Sequence, residues 1–120
     1  MEPFEAAKLA VKALDEKQGA DIRLLKTEEL TVLADYFVLC TANSNTHVRT
    51  LYDEVDKRLS MAGMPPIRRE GSRSANWLLL DFGSVIVHIF QKETREFYNL
   101  ERLWDDAQEI DITDIIKEEA

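Results

Sequence analysis

Cys40 is the single cysteine of this chain, and it closes an apolar run over residues 35–41 that reads as a buried strand. A strand end feeding a helix is where open α/β sheets place ligands. His47 follows shortly after, and His88 lies inside a second apolar run. Cys–His catalysis needs an imidazole in hydrogen-bond contact with the sulfur and an oxyanion site beside them. The spacing supplies neither, and a lone cysteine in an apolar strand reads as a small hydrophobe. Two isolated histidines without cysteine or glutamate at ligand spacing do not make a zinc site, so neither a metal nor a cofactor is expected. His88, mid-strand, reads as buried or structural rather than a ligand, with a titration that bears on behaviour near neutral pH.

Phosphate chemistry is the next candidate. Gly71-Ser72 ahead of Asp81 echoes the glycine-serine and aspartate pattern of nucleotidyltransferases, which makes a nucleotide-binding or nucleotidyltransferase-like enzyme the alternative reading. Such an enzyme needs two or three carboxylates converging on magnesium, and Asp81 has no acidic neighbour one or two residues away. The segment 41–45 contains no glycine to bring backbone close to a phosphate. Asp81-Phe82-Gly83 spells a kinase triplet, but the other kinase segments are missing. No catalytic constellation results, and the chain is read as a non-enzyme.

A different chemistry is available on the run 76–82. Strand periodicity puts Trp77, Leu79 and Asp81 on one face and Leu78, Leu80 and Phe82 on the other. An aromatic anchor beside a carboxylate suits a protein interface, where a few desolvated aromatic and charged groups carry most of the binding energy. Arg68, Arg69, Glu70 and Arg73 supply rim charges just upstream. Burial of Trp77 in the core is the competing reading, and Tyr98, Arg102 and Trp104 pose the same choice.

The elements that must position these residues follow from spacing. Pro3 with Glu2 and Glu5 opens a helix over residues 3–17, with Phe4, Ala7, Val11 and Leu14 on one face and Gly19 beyond its end. Residues 21–26 alternate as a short strand, and residues 35–41 form the next. Asn43 or Ser44 caps a helix whose stripe is Val48, Leu51, Tyr52, Val55 and Leu59, stopped by Gly63 and Pro65-Pro66. Residues 67–70, 76–82 and 85–90 read as strands, the last two joined by a Gly83-Ser84 hairpin turn. Phe97, Leu100 and Trp104 mark a final helix. Two near-continuous apolar strands imply a sheet covered on both sides. The expected fold is therefore α/β, a single domain with a mixed, roughly five-stranded sheet flanked by helices.

Bulk properties bound the function further. The 120 residues are 45% hydrophobic and 32% charged, a globular composition of one-domain size. A lone cysteine fits a reducing compartment. The N-terminus lacks the signature of a signal or transit peptide, and the apolar runs are strand-sized, far short of a membrane span, so a cytoplasmic location is expected. Residues 105–120 carry seven acids against Lys117, a net −6 of the chain's −8. This divides the chain into a domain over 1–104 and an acidic tail over 105–120. A near-neutral body with such a tail predicts little direct nucleic-acid contact and suits a basic protein partner, though for the tail alone the stronger reading is that its acids only keep the chain soluble.

The blocks Asp35-Tyr36-Phe37-Val38-Leu39-Cys40-Thr41-Ala42-Asn43-Ser44-Asn45, His47-Val48-Arg49, Glu70-Gly71, Trp77 with residues 81–88, and residues 95–104 together resemble the ribosomal silencing factor family, also called Iojap-like. The likeness runs in order through residues 3–104. It implies a homodimer that binds the large ribosomal subunit through the fourteenth ribosomal protein of that subunit. There it would block subunit joining and repress translation. It also implies a fold resembling nucleotidyltransferases without their activity. On the positions shared with the family, Trp77 is the expected anchor, and Glu70, Asp81 and Tyr98 are the expected partners for lysine or arginine on the ribosomal protein.

Overall fold

The computed structural model describes residues 1–27, 34–71, 74–98, 105 and 107–117, with Phe97 and Tyr98 described as backbone only. The first helix, α1 (Pro3–Glu16), starts at a proline in its first turn and buries Ala6, Ala7, Ala10, Val11, Ala13 and Leu14. Small residues at helical spacing let its backbone lie close to its neighbours. It ends in a Schellman motif: Gln18, at φ 64°, donates to the Asp15 carbonyl and Gly19 to that of Leu14. The left-handed residue is thus Gln18. Gly19 is required for another reason, since a Cβ there would stand 2.4 Å from the Cys40 sulfur.

Strands β1 (Ala20–Lys26) and β2 (Tyr36–Ala42) follow, then α2 (Asn45–Met61). Ser44 caps α2 by accepting from the His47 N–H. The expected stripe is realised, with Val48, Leu51, Val55 and Leu59 fully buried. A second Schellman motif ends this helix, with Gly63 at φ 87° and Met64 donating to the Leu59 carbonyl. Strands β3 (Arg68–Gly71), β4 (Trp77–Asp81) and β5 (Val85–Gln91) come next, then α3 (Lys92–Tyr98), β6 (Gln108–Ile110) and α4 (Thr113–Lys117). The hairpin turns as expected: Phe82 donates to the Val85 carbonyl, and Gly83 takes φ 89° at the first central position.

Among the described residues the sheet has six strands in the order β3-β4-β5-β2-β1-β6. Of these described strand pairs β2–β5 is parallel and the others antiparallel, so the mixed sheet is as expected. The sixth strand arises within the stretch read as an acidic tail. Residues 108–110 pair with β1, and Ile115 of α4 is buried against the main core. Three residues of low apolar content give too weak a period to announce a strand.

Strand register divides the side chains between two faces. One face carries Leu24, Val38, Cys40, Leu78, Leu80, Val85, Val87 and Ile89, packed in one core with α1, α2 and α4. The other carries Leu25, Phe37, Leu39, Ile86 and Phe90, with Trp77 and Leu79 partly buried against them. On this second face α3 lies at one end of β2 and β5, where Arg95 reaches Thr41 and the Phe90 ring. Both faces are therefore flanked by helix, as the apolar strands predicted. The helix expected around Phe97, Leu100 and Trp104 is α3, whose described span ends at Tyr98; Leu100 and Trp104 lie outside the described residues.

Candidate functional site

The second face of the sheet holds an open cleft of about 290 Å³ lined by Glu70, Gly71, Trp77 and Leu79. Register builds it: Glu70 of β3 stands opposite Leu79 of β4, so both side chains leave the sheet on the Trp77 side. Gly71 lines the cleft with its backbone, and its missing side chain matters on the other face of the sheet, beside Leu78. A Cβ at Gly71 would lie 2.1 Å from the Leu78 side chain. Trp77 is partly buried, so the competing readings, anchor or core, meet in one residue. Its inner side packs on the core and its outer side faces the cleft.

The indole is held on several sides. Trp77 stands opposite Phe90 across the β4–β5 ladder and stacks on it at 5.9 Å between centroids. Its Nε1–H donates to His88 Nδ1 at 3.2 Å. His88 in turn stacks on Phe37 at 5.6 Å. Burial pushes the His88 imidazole down to about 4, because the charged form cannot be solvated there. This corrects the expectation of a titration near neutral pH.

Phe90 is itself clamped from the far side. The Arg95 guanidinium lies over its ring at 5.5 Å and is only 5% exposed. Arg95 Nη1 donates to the Asp21 carbonyl at 2.8 Å and to Thr41 Oγ1 at 2.7 Å, and Nη2 stands 3.6 Å from the Asp21 carboxylate. Hydrogen bonds from a charged donor are among the stronger ones, so Arg95 ties α3 to the ends of β1, β2 and β5. A chain of contacts Arg95–Phe90–Trp77 thus supports the cleft from behind. No periodicity in the sequence marks Arg95 for this task. The pairing of Trp77 with His88 was accessible: a two-residue turn at Gly83-Ser84 puts Leu79 opposite His88 and Trp77 opposite Phe90.

The predicted site residues are only partly brought together. Glu70 joins Trp77 in the cleft, with its side chain 53% exposed and paired to Arg68 at 3.4 Å. Asp81 sits further along β4, and both its oxygens are engaged. One accepts the Gly83 N–H at 2.8 Å, and the other lies 3.3 Å from Arg68 Nη2. Arg68 therefore bridges both acids. Arg69 points to the opposite face, where it grips Asp56 of α2 through two hydrogen bonds of 2.9 and 3.2 Å. Those bonds hold the Asp56 carboxyl below its ordinary value. Arg69 is therefore not part of the cleft rim, because strand alternation turns it away. The side chain of Tyr98, and Arg73, Arg102 and Trp104, lie outside the described residues.

The nucleophile candidates separate. Cys40 stands opposite Ile89 and His88 opposite Leu39, so sulfur and imidazole project from opposite faces of the sheet. Burial pushes the Cys40 thiol up to about 12, which leaves it without the thiolate that nucleophilic chemistry uses. His47 Nε2 donates to the Lys17 carbonyl at 2.9 Å while Nδ1 accepts from the Asn43 N–H at 3.0 Å. This joins the start of α2 to the end of α1. Among the described residues, no group of three or more His, Cys, Asp or Glu converges as a metal site would require. No helix among them is long and apolar enough to cross a membrane.

A family model described as "Ribosomal silencing factor during starvation" matches residues 1–120. The ribosomal silencing factor RsfS of Halalkalibacterium halodurans is 37% identical over 112 residues, covering 93% of this chain and 96% of that protein. A mouse protein named mitochondrial assembly of ribosomal large subunit protein 1 is 31% identical over 99 residues, covering 80% of this chain and 43% of its own length. A crystal structure of a protein from Chromobacterium violaceum superposes with a TM-score of 0.85 at 38% identity, covering 88% of each chain. With a match over its whole length, a shared fold and these relatives, the chain belongs to the ribosomal silencing factor family.

Proposed function

We propose that this protein is a translational repressor that binds the large ribosomal subunit through the fourteenth ribosomal protein of that subunit and sterically blocks joining of the small subunit. Family membership supports the class, and the name of the mouse relative links the family to the large subunit. At the level of residues, one observation carries the reading: a supported indole and an exposed carboxylate share an open cleft on the sheet. A lysine or arginine from a basic partner fits that pair, its stem against the Trp77 ring and its charged head on Glu70. Asp81, already neutralised in part by Arg68, and Tyr98 are proposed as outlying contacts.

No bond is made or broken in this mechanism. The protein occupies a surface that the small subunit also needs, so inhibition depends on affinity and concentration and reverses by mass action. We further propose a homodimer acting in the cytoplasm, with little direct contact to nucleic acid.

The test is binding of purified large subunits, measured by pelleting through a sucrose cushion. Trp77→Ala, verified as folded by circular dichroism, should bind at least ~30-fold more weakly, the loss expected of an interface hot spot. Undiminished binding by the variant would remove Trp77 from the site.

A further inference from the structure

The Trp77 side chain has one polar atom, Nε1, and that atom can only donate. It donates to His88 Nδ1 at 3.2 Å, so Nδ1 must carry a lone pair and the ring proton must reside on Nε2. His88 is 9% exposed and is itself packed on Phe37 at an interplanar angle of 27°. Its ring cannot swing away without breaking that packing. The indole is therefore fixed by a hydrogen bond at one edge and by Phe90 against its face, before any partner arrives.

We infer that His88 is a positioning residue for partner binding: it locks the Trp77 indole in the cleft and consumes its N–H, so that the cleft recognises an apolar stem with a cationic head rather than a hydrogen-bond acceptor. The inference rests on the reading of the cleft as the partner site. Two consequences follow from the geometry. The partner pays less to order the anchor, because the side chain is already immobile. Selectivity also shifts: a partner group offering a carbonyl or carboxylate finds no donor on the indole, whereas lysine or arginine meets the ring and a Glu70 carboxylate that it shares with Arg68.

The experiment follows the indole and the binding together. Protein labelled with ¹⁵N is prepared as wild type, His88→Phe and His88→Asn, and the Trp77 Nε1–H resonance is identified by its loss in Trp77→Phe. Phenylalanine keeps the aromatic packing on Phe37 and Phe90 but offers no acceptor. Asparagine places Oδ1 near the position of Nδ1. In His88→Phe the indole signal should move upfield and exchange faster with water, while large-subunit binding weakens about three- to tenfold. His88→Asn should recover most of both. If wild type and His88→Phe bind equally while the indole signal moves, the positioning role is overturned and the partner site stands. If wild type itself does not bind large subunits, the partner site falls and the positioning role with it. Should His88→Phe not fold, protection of the wild-type indole proton decides the hydrogen bond, and His88→Asn decides the binding. A rapidly exchanging indole proton in wild type would overturn the inference outright.

Discussion

His88 shows how one buried imidazole sets both a local geometry and a pH limit. Its ordinary value is 6.5 and the folded chain holds it at about 4 through burial. Above pH 6.5 folded and unfolded chains are both neutral at this residue, and it contributes nothing to pH dependence. Between pH 6.5 and 4 the unfolded chain takes up a proton that the folded chain refuses, so stability falls as pH falls. At about 1.4 kcal/mol per unit, the loss reaches about 3 kcal/mol by pH 4. Urea unfolding at pH 7.5, 5.5 and 4.5 should show this decline, and His88→Phe should flatten it by about 2.5 kcal/mol at pH 4.5. An identical pH profile for both proteins would contradict the burial of a neutral ring. The same residue scale explains Asp81 and Arg69. A sequence displays their charge but not their partners, and in the fold Asp81 secures a turn while Arg69 secures α2 to β3.

Elements differ in how openly their sequence declares them. Helix α2 was legible because its cap, its apolar stripe and its stopping glycine all agree, and consistency across levels is what specifies structure. The β4–β5 hairpin was legible because Gly83-Ser84 allows one register, and that register builds the aromatic side of the cleft. The β3 side of the cleft was less legible: Arg68, Arg69, Glu70 and Gly71 are all exposed, and with no apolar period nothing told which of the charges faced Trp77. Residues 108–117 were hidden by their acidity. Ile110, Ile112, Ile115 and Ile116 are nevertheless spaced so that β6 extends the sheet and α4 packs on α1. Ile115→Ala should therefore destabilise the protein by about 2–4 kcal/mol, the cost of a truncated core side chain. Thermal or urea unfolding reads this directly. A change under 0.5 kcal/mol would mean that the segment behaves as a solvated tail.

At the scale of the molecule, one face of the sheet is buried under α1, α2 and α4, and among the described residues the other keeps its β3–β4 side open around Trp77. That asymmetry leaves the Trp77 cleft, the proposed partner site, accessible while Cys40 is sealed inside. The proposed homodimer should appear in sedimentation velocity at micromolar concentration as a species of twice 13.8 kDa; a monomer throughout would remove the dimer from the account. The most direct test of silencing itself is a sucrose gradient of purified large and small subunits run with and without an excess of this protein. If the protein blocks subunit joining, the joined-ribosome peak falls and the protein co-migrates with large subunits. An unchanged peak, with the protein left at the top of the gradient, would contradict it.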